Sequence, residues 1–83
     1  MINKDNFKLS IIIPCYNEQN TIRQIIEKVI SSLNYYNYTR YEIIVVDDCS
    51  TDRTKEILKK LENIENLNLK FNEKNYGKGF AIK

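Results

Sequence analysis

Three aspartates stand close together where a run of branched aliphatic residues ends. The segment IIVVDDCSTD (residues 43–52) places Asp47, Asp48 and Asp52 directly after four such residues. Neighbouring carboxylates repel one another, so backbone N–H groups, a cation or a ligand donor must compensate them. Ser50 and Asp52 have the residue types of helix caps, and we favour that role for these two. Asp47 and Asp48 come one turn too early to cap a helix, and for them we favour a ligand contact.

The elements that would position these acids alternate between strand and helix. Residues 9–13 (LSIII) and 42–46 (EIIVV) are short apolar runs typical of strands buried on both faces, whereas residues 67–71 (LNLKF) alternate and suit an edge strand. Apolar residues recur at helical spacing from Ile22 to Leu33, with Asn20 or Thr21 as N-cap. The same spacing around residues 57–61 predicts a second helix.

This alternation predicts a parallel sheet with right-handed crossover connections, in the strand order third, second, first. Ligands of such sheets bind outside the carboxyl ends of the strands. Three loops occupy that edge: PCYNEQ (14–19), DDCSTD (47–52) and NEKNYGKG (72–79). The acids are therefore expected on the face where a ligand would bind.

Composition excludes several classes of protein. The 83 residues suffice for one small domain, and 42% hydrophobic with 29% charged residues is ordinary for a globular chain. A net charge of +2 is too weak a bias to indicate nucleic acid. We find no apolar run long enough for a membrane span and no signal peptide, so we expect reduced cysteines and a cytoplasmic location.

Several familiar site motifs fail on spacing. A calcium loop of the EF-hand type would need glycine at Arg53 and glutamate at Lys59. The chain does not match the phosphate-binding P-loop, because the upstream glycine of that motif is missing. It does not match the dinucleotide-binding fingerprint either, because Ile82 stands at the position of the third glycine. Nucleophilic catalysis by cysteine lacks a base, because the chain has no histidine.

Together, the motifs SIIIPCYNEQNTI, EIIVVDDCSTDRT and NEKNYGKGFAIK resemble the opening motifs of the family 2 glycosyltransferases, which have the GT-A fold. Within that family the chain is most similar to the dolichyl- and polyprenyl-phosphate sugar transferases. The resemblance implies a Rossmann-like parallel βαβαβ sheet, the N-terminal half of a truncated GT-A domain. Residues 1–8 would be a polar tail, and residues 9–83 a partial nucleotide-sugar-binding domain.

The resemblance also assigns roles to residues. The first loop would cup the base and ribose of a sugar nucleotide, although Tyr16 could equally be an ordinary half-buried ring. Asp48 would accept a hydrogen bond from the base ring nitrogen, with Asp47 supporting the loop. Lys78 and the glycines beside it would approach the diphosphate, although composition alone favours a left-handed turn with a solvated lysine. The implied nucleotide-sugar site comprises Pro14, Tyr16, Asn17, Glu18, Asp47, Asp48, Asn75, Gly77, Lys78 and Gly79.

The implied reaction is transfer of a hexose from a UDP- or GDP-sugar, with polyprenyl phosphate at the inner membrane face as candidate acceptor. Mg²⁺ or Mn²⁺ would stabilise the leaving diphosphate in the complete enzyme. The family's D-x-D metal motif and general base follow later than residue 83, so we expect this chain to hold neither and to be inactive alone. An alternative is a non-catalytic nucleotide-binding or protein-interaction module. We also expect self-association through an exposed edge at Leu9–Ile13.

Overall fold

The computed structural model describes residues 8–73, which form a three-stranded parallel sheet with two helices. The elements are β1 (Leu9–Cys15), α1 (Ile22–Tyr35), β2 (Tyr41–Asp48), α2 (Thr54–Lys60) and β3 (Leu67–Asn72). The predicted α/β, Rossmann-like class is thereby confirmed. The predicted site residues Asn75, Gly77, Lys78 and Gly79, the helix predicted after them, and nearly all of the predicted tail lie outside the described residues.

The strand order is β1-β2-β3, with both neighbouring pairs parallel, as the alternation of strand and helix predicts. Cys15 at the end of β1 aligns with Asp47 of β2, and Asp47 aligns with Phe71 of β3. The carboxyl ends of all three strands therefore meet at one edge of the sheet. The segments that follow β1 and β2 leave this edge side by side.

One face of the sheet carries both helices. Strand residues that alternate in register, among them Cys15, Ile43 and Val45, are buried in one cluster with residues of both helices. The helices contribute chiefly Ile22, Ile26, Leu33 and Leu58 to that cluster. Two right-handed crossovers that step across the sheet in the same direction place their helices on the same face. The side chains of the intervening residues, including Asp48, point to the opposite face.

β1 differs from its prediction as a strand buried on both faces. Its exposure alternates, and Ile12 is 65% exposed, because in the described part of the chain both helices lie on the other face. The strand also continues through Pro14 to Cys15, two residues further than the apolar run indicated. Proline lacks an N–H donor and is tolerated in edge strands. Within residues 8–73, β1 pairs with β2 alone.

One edge of β1 is not paired with any strand of residues 8–73, which leads us to expect self-association in solution. Backbone N–H and C=O groups on an unpaired edge can pair with a second strand. Ile12→Lys should shift the protein towards monomer, measured by sedimentation velocity over a range of concentrations. Tyr35→Lys is the matched control, because Tyr35 is 78% exposed at the end of α1 and is not part of β1. Wild-type protein that stays monomeric, with strong hydrogen-exchange protection across Leu9–Ile13, would contradict the prediction.

Candidate functional site

Two loops dominate the carboxyl edge of the described sheet. Loop 1 (residues 16–21) joins β1 to α1, and loop 2 (residues 49–53) joins β2 to α2. They are neighbours because β1 and β2 are adjacent, parallel and end at the same level. The candidate site is built from these loops and from the last residues of the two strands.

Asp47 is a fully buried carboxylate that the chain itself compensates. Its Oδ2 accepts the backbone N–H of Ser50 at 3.2 Å, and its Oδ1 accepts the Ser50 hydroxyl and the Cys15 thiol, the latter at 3.6 Å. Asp47 lies on the helix-bearing face of the sheet, in phase with Val45. The ligand contact that its spacing suggested is replaced by a structural role, in which the acid fixes the turn after β2.

Asp48 has the opposite environment, although it is the next residue. β2 continues through Asp48, so its side chain points to the face that carries no described helix. Among residues 8–73 its carboxylate accepts no side-chain or backbone hydrogen bond and forms no ion pair. It is only partly buried. A carboxylate in this position that has no partner among residues 8–73 can accept a hydrogen bond from a ligand.

A shallow cavity of about 310 Å³ lies beside Asp48. Of the residues predicted to bind a ligand, the structure brings together four around this cavity: Pro14, Tyr16, Glu18 and Asp48. Tyr16 is 46% exposed, so its ring is available to a ligand. The cavity combines an aromatic ring, two carboxylates and apolar walls, a composition common in small-molecule sites.

Loop 1 is joined to loop 2 and to the first residue of α2 by hydrogen bonds that run in both directions. The backbone N–H of Glu18 donates to Thr54 Oγ1 at 2.8 Å, and that of Gln19 donates to Asp52 Oδ2 at 3.3 Å. In return, the N–H of Arg53 donates to Gln19 Oε1 at 2.9 Å. Sequence reasoning missed Gln19 and Thr54, because these contacts join residues more than thirty positions apart and leave no local pattern.

Asn17, which was predicted to contact the ligand, belongs to these inter-loop bonds. Its Oδ1 accepts the backbone N–H groups of Thr51 and Asp52, at 2.8 and 3.3 Å. Its own N–H donates to Ser50 Oγ at 2.9 Å. The residue is therefore directed at loop 2, and it does not line the cavity.

The start of α2 differs in part from the predicted capping by Ser50 and Asp52. The N-cap residue is Arg53, which makes no side-chain cap bond. Ser50 makes its hydrogen bonds to Asp47 and Asn17, because the chain has not yet reached the helix at that point. Asp52 Oδ1 does accept the N–H of Thr54, at 2.9 Å, and the Thr54 hydroxyl.

The pKa of Asp52 reflects two opposed effects. Burial acts to raise it, but hydrogen bonds from the Thr54 hydroxyl and N–H, with a further one from Gln19, outweigh burial and leave the pKa below its usual value. The carboxylate is therefore held in its ionised form, in which it accepts all of these bonds. It serves the start of α2 and loop 1 together.

The Cys15 thiol should be chemically inert in the folded protein. Burial and the neighbouring Asp47 raise its pKa to about 12, so at pH 8 roughly one thiol in ten thousand is ionised. Iodoacetamide should therefore modify the partly exposed Cys49 and spare Cys15, while both react in denaturant. Mass spectrometry of peptides after timed alkylation checks this. Equal rates for the two cysteines in native protein would show that Cys15 is not shielded as described.

Comparison with known proteins decides the family. Residues 10–83 match the family model described as glycosyl transferase family 2. The chain belongs to this family. Its cavity is formed by the first two of the three motifs that resemble family 2 glycosyltransferases.

The chain is also similar to several sugar transferases whose names include a phosphate-containing compound. The chain is 36% identical over 77 residues to the undecaprenyl-phosphate 4-deoxy-4-formamido-L-arabinose transferase of Proteus mirabilis, covering 90% of this chain and 23% of that protein. It is 37% identical over 89 residues to the dolichyl-phosphate beta-glucosyltransferase of Dictyostelium discoideum, covering 95% and 26%. It is 37% identical over 70 residues to the poly(ribitol-phosphate) beta-N-acetylglucosaminyltransferase of Staphylococcus aureus, covering 84% and 12%. The chain thus spans between 12% and 26% of the length of these three relatives.

The side chains of residues 8–73 do not by themselves form a complete site for the divalent metal that the resemblance implies for a complete enzyme. Asp47 is occupied by Ser50 and Cys15, and Asp52 by Thr54 and Gln19. No group of three or more potential ligand side chains that could hold a metal ion occurs in residues 8–73. We therefore assign no chemical step to a metal on these residues. In the same part of the chain, no helix is long and apolar enough to cross a bilayer.

Proposed function

We propose that the cavity beside Asp48 receives the nucleotide of a sugar donor, in a glycosyltransferase that transfers a hexose from a UDP- or GDP-sugar. The observation that carries this proposal is the convergence of Tyr16, Glu18 and Asp48 on one concave surface at the carboxyl edge of the sheet. Parallel sheets bind ligands at this edge. Membership of family 2 supports the reaction class.

Each of the three side chains has a property that suits a nucleotide. The exposed ring of Tyr16 offers a flat face on which a base can stack. The Asp48 carboxylate offers hydrogen-bond acceptor oxygens and has no partner in residues 8–73. Glu18 Oε1 accepts the Thr21 hydroxyl at 3.1 Å, which orients the carboxylate while leaving its second oxygen for ribose hydroxyls.

The acceptor chemistry of Asp48 favours two bases over the others. Uracil and guanine each carry a ring N–H that can donate to a carboxylate. Cytosine and adenine present an unprotonated ring nitrogen at the corresponding position, and two acceptors facing each other repel. With Asp48 facing that ring position, the site favours UDP and GDP over CDP and ADP, whose exocyclic amino groups are the only base-edge donors left for a carboxylate.

The remaining parts of the proposal concern the complete protein. We propose Asn75, Gly77, Lys78 and Gly79 for contact with the diphosphate, and Mg²⁺ or Mn²⁺ as the ion that stabilises it. A polyprenyl phosphate at the cytoplasmic membrane face is the proposed acceptor, supported by the names of the Proteus and Dictyostelium relatives. The Staphylococcus relative is named for a poly(ribitol-phosphate), which makes a phosphate-containing polymer the second acceptor class to test.

Calorimetric titration with UDP, GDP, CDP and ADP tests the donor assignment. We expect UDP or GDP to bind at least about tenfold more tightly than CDP and ADP, a difference of roughly 1.4 kcal/mol. The titrations are run in one Mg²⁺-containing buffer, so that the diphosphate contribution is common to all four ligands. Four equal affinities would reject Asp48 as the group that reads the base, and no binding at all would reject the cavity as a nucleotide site.

A further inference from the structure

Asn17 lies between two cavity residues without lining the cavity itself. Tyr16 and Glu18 both contribute to the cavity wall, and the side chain between them reaches across to loop 2. Asn17 has a φ of 52°, in the left-handed region, and asparagine is among the residues that tolerate this region best. The left-handed turn separates the direction of the Asn17 side chain from that of its two neighbours.

The Asn17 carbonyl oxygen satisfies two consecutive backbone donors of loop 2, those of Thr51 and Asp52. The Asn17 N–H in turn donates to Ser50 Oγ, and the Ser50 hydroxyl donates to the buried Asp47. A continuous set of hydrogen bonds thus runs from the last buried acid of β2 to the middle of loop 1. The two halves of the cavity, Tyr16 and Glu18 on one side and Asp48 on the other, are joined through it.

We propose that Asn17 is a positioning residue for nucleotide binding, which acts by holding the Tyr16–Glu18 wall at a fixed distance from Asp48. This inference rests on the proposed function and deepens it. The residue need not contact the ligand. Its contribution is preorganisation, because a site whose walls are already fixed loses less conformational freedom when a ligand binds.

Two substitutions separate the acceptor oxygen from the other properties of Asn17. Asn17→Gly keeps the left-handed backbone but removes the acceptor, whereas Asn17→Asp keeps the acceptor and removes the amide NH₂. We expect Asn17→Gly to weaken binding of whichever of UDP or GDP the wild type binds by about 10- to 100-fold. The affinity of Asn17→Asp for the same nucleotide should stay within about threefold of the wild-type affinity in roughly 1 M salt. At that salt concentration the added charge is screened within about 3 Å.

Hydrogen exchange provides the readout that does not depend on the ligand. The amides of Thr51 and Asp52 should exchange faster in Asn17→Gly than in wild type, while those of β2 stay protected. Gln19→Ala is the matched control, since it removes a bond of the same kind to Arg53. Gln19 does not line the cavity. The Gln19→Ala variant should therefore lose stability as Asn17→Gly does, but it should lose less nucleotide affinity.

Three results would overturn the assignment of Asn17. Wild-type affinity in Asn17→Gly would show that the bonds to loop 2 do not affect binding. Loss of binding in Asn17→Asp at high salt would show that the amide NH₂ contacts the ligand directly. If Asn17→Gly does not fold, the affinity of Asn17→Asp alone decides whether the assignment stands. A wild-type protein that binds neither UDP nor GDP would overturn the proposed function together with this inference, whereas the first two results leave the proposed function intact.

Discussion

Asp48→Asn is expected to weaken binding of UDP or GDP by roughly 10- to 150-fold, equivalent to the 1.5–3 kcal/mol of a charged hydrogen bond. The substitution preserves the size of the side chain but converts a pure acceptor into a group that also presents N–H donors to the ring N–H of the base. The folded state should be little affected, because within residues 8–73 the Asp48 carboxylate bonds to nothing. We expect a change in unfolding free energy within about 0.5 kcal/mol.

Glu62→Gln is the matched control for Asp48→Asn. It makes the same change of charge at an exposed position after α2, so it reports any general effect of charge on an anionic nucleotide. Calorimetric titration of both variants and chemical denaturation of both give the comparison. Unchanged affinity in folded Asp48→Asn would remove this residue from the site, and equal losses in the two variants would attribute the effect to net charge.

Asp47→Ala is expected to cause a large loss of stability, in contrast to Asp48→Asn, which should change nucleotide affinity and leave stability nearly unaltered. The substitution leaves the buried N–H and hydroxyl of Ser50 without their acceptor, at a cost on the order of 3 kcal/mol in total. For a domain of this size, such a loss lowers the melting temperature by roughly 12–24 °C. Thermal unfolding followed by circular dichroism measures it directly.

Asp48→Ala is the control for the stability prediction. The two alanine substitutions differ by one position in the same strand, so composition, charge and strand propensity change identically. Only Asp47→Ala should lower the melting temperature substantially. Equal melting temperatures for the two variants would contradict the structural role assigned to Asp47.

The fold was predictable because its signals are local and periodic. Apolar runs at 9–13 and 42–46 and helical spacing from Ile22 to Leu33 are sufficient to indicate alternating strands and helices. A helix between consecutive strands then indicates parallel strands, which places the loops that follow the strands at one edge. The exposure of Ile12 was not predictable from the apolar run at residues 9–13. An apolar run indicates that a strand can be buried, but it does not indicate which faces of the sheet other elements cover.

The roles of the two adjacent acids were harder to predict from sequence alone. The apolar run ends at Val46, which suggested that Asp47 and Asp48 both follow the strand as loop residues. In the structure β2 continues through Asp48, and strand alternation sends the two carboxylates to opposite faces. One acid is consequently buried against Ser50 and Cys15, and the other borders the cavity.

The connection between the loops depends on contacts that no local pattern encodes. Asn17 and Thr51 are 34 residues apart, and their hydrogen bond requires the register of β1 and β2 as well as two left-handed residues. Asn17 at φ 52° is a residue type that favours such a turn, but Cys49 at φ 57° is not. The turn at Cys49 is held by the bonds between Asp47 and Ser50 on either side of it.

The central claim is that a nucleotide binds at the carboxyl edge between loop 1 and Asp48. An NMR titration of ¹⁵N-labelled protein with UDP and GDP tests it most directly, because each amide reports its own surroundings. We predict saturable shifts largest at Tyr16, Glu18 and Asp48, with Leu9 and Tyr41 at the opposite ends of the same strands unchanged. Saturable shifts centred on another surface, or no shifts with either nucleotide, would contradict it.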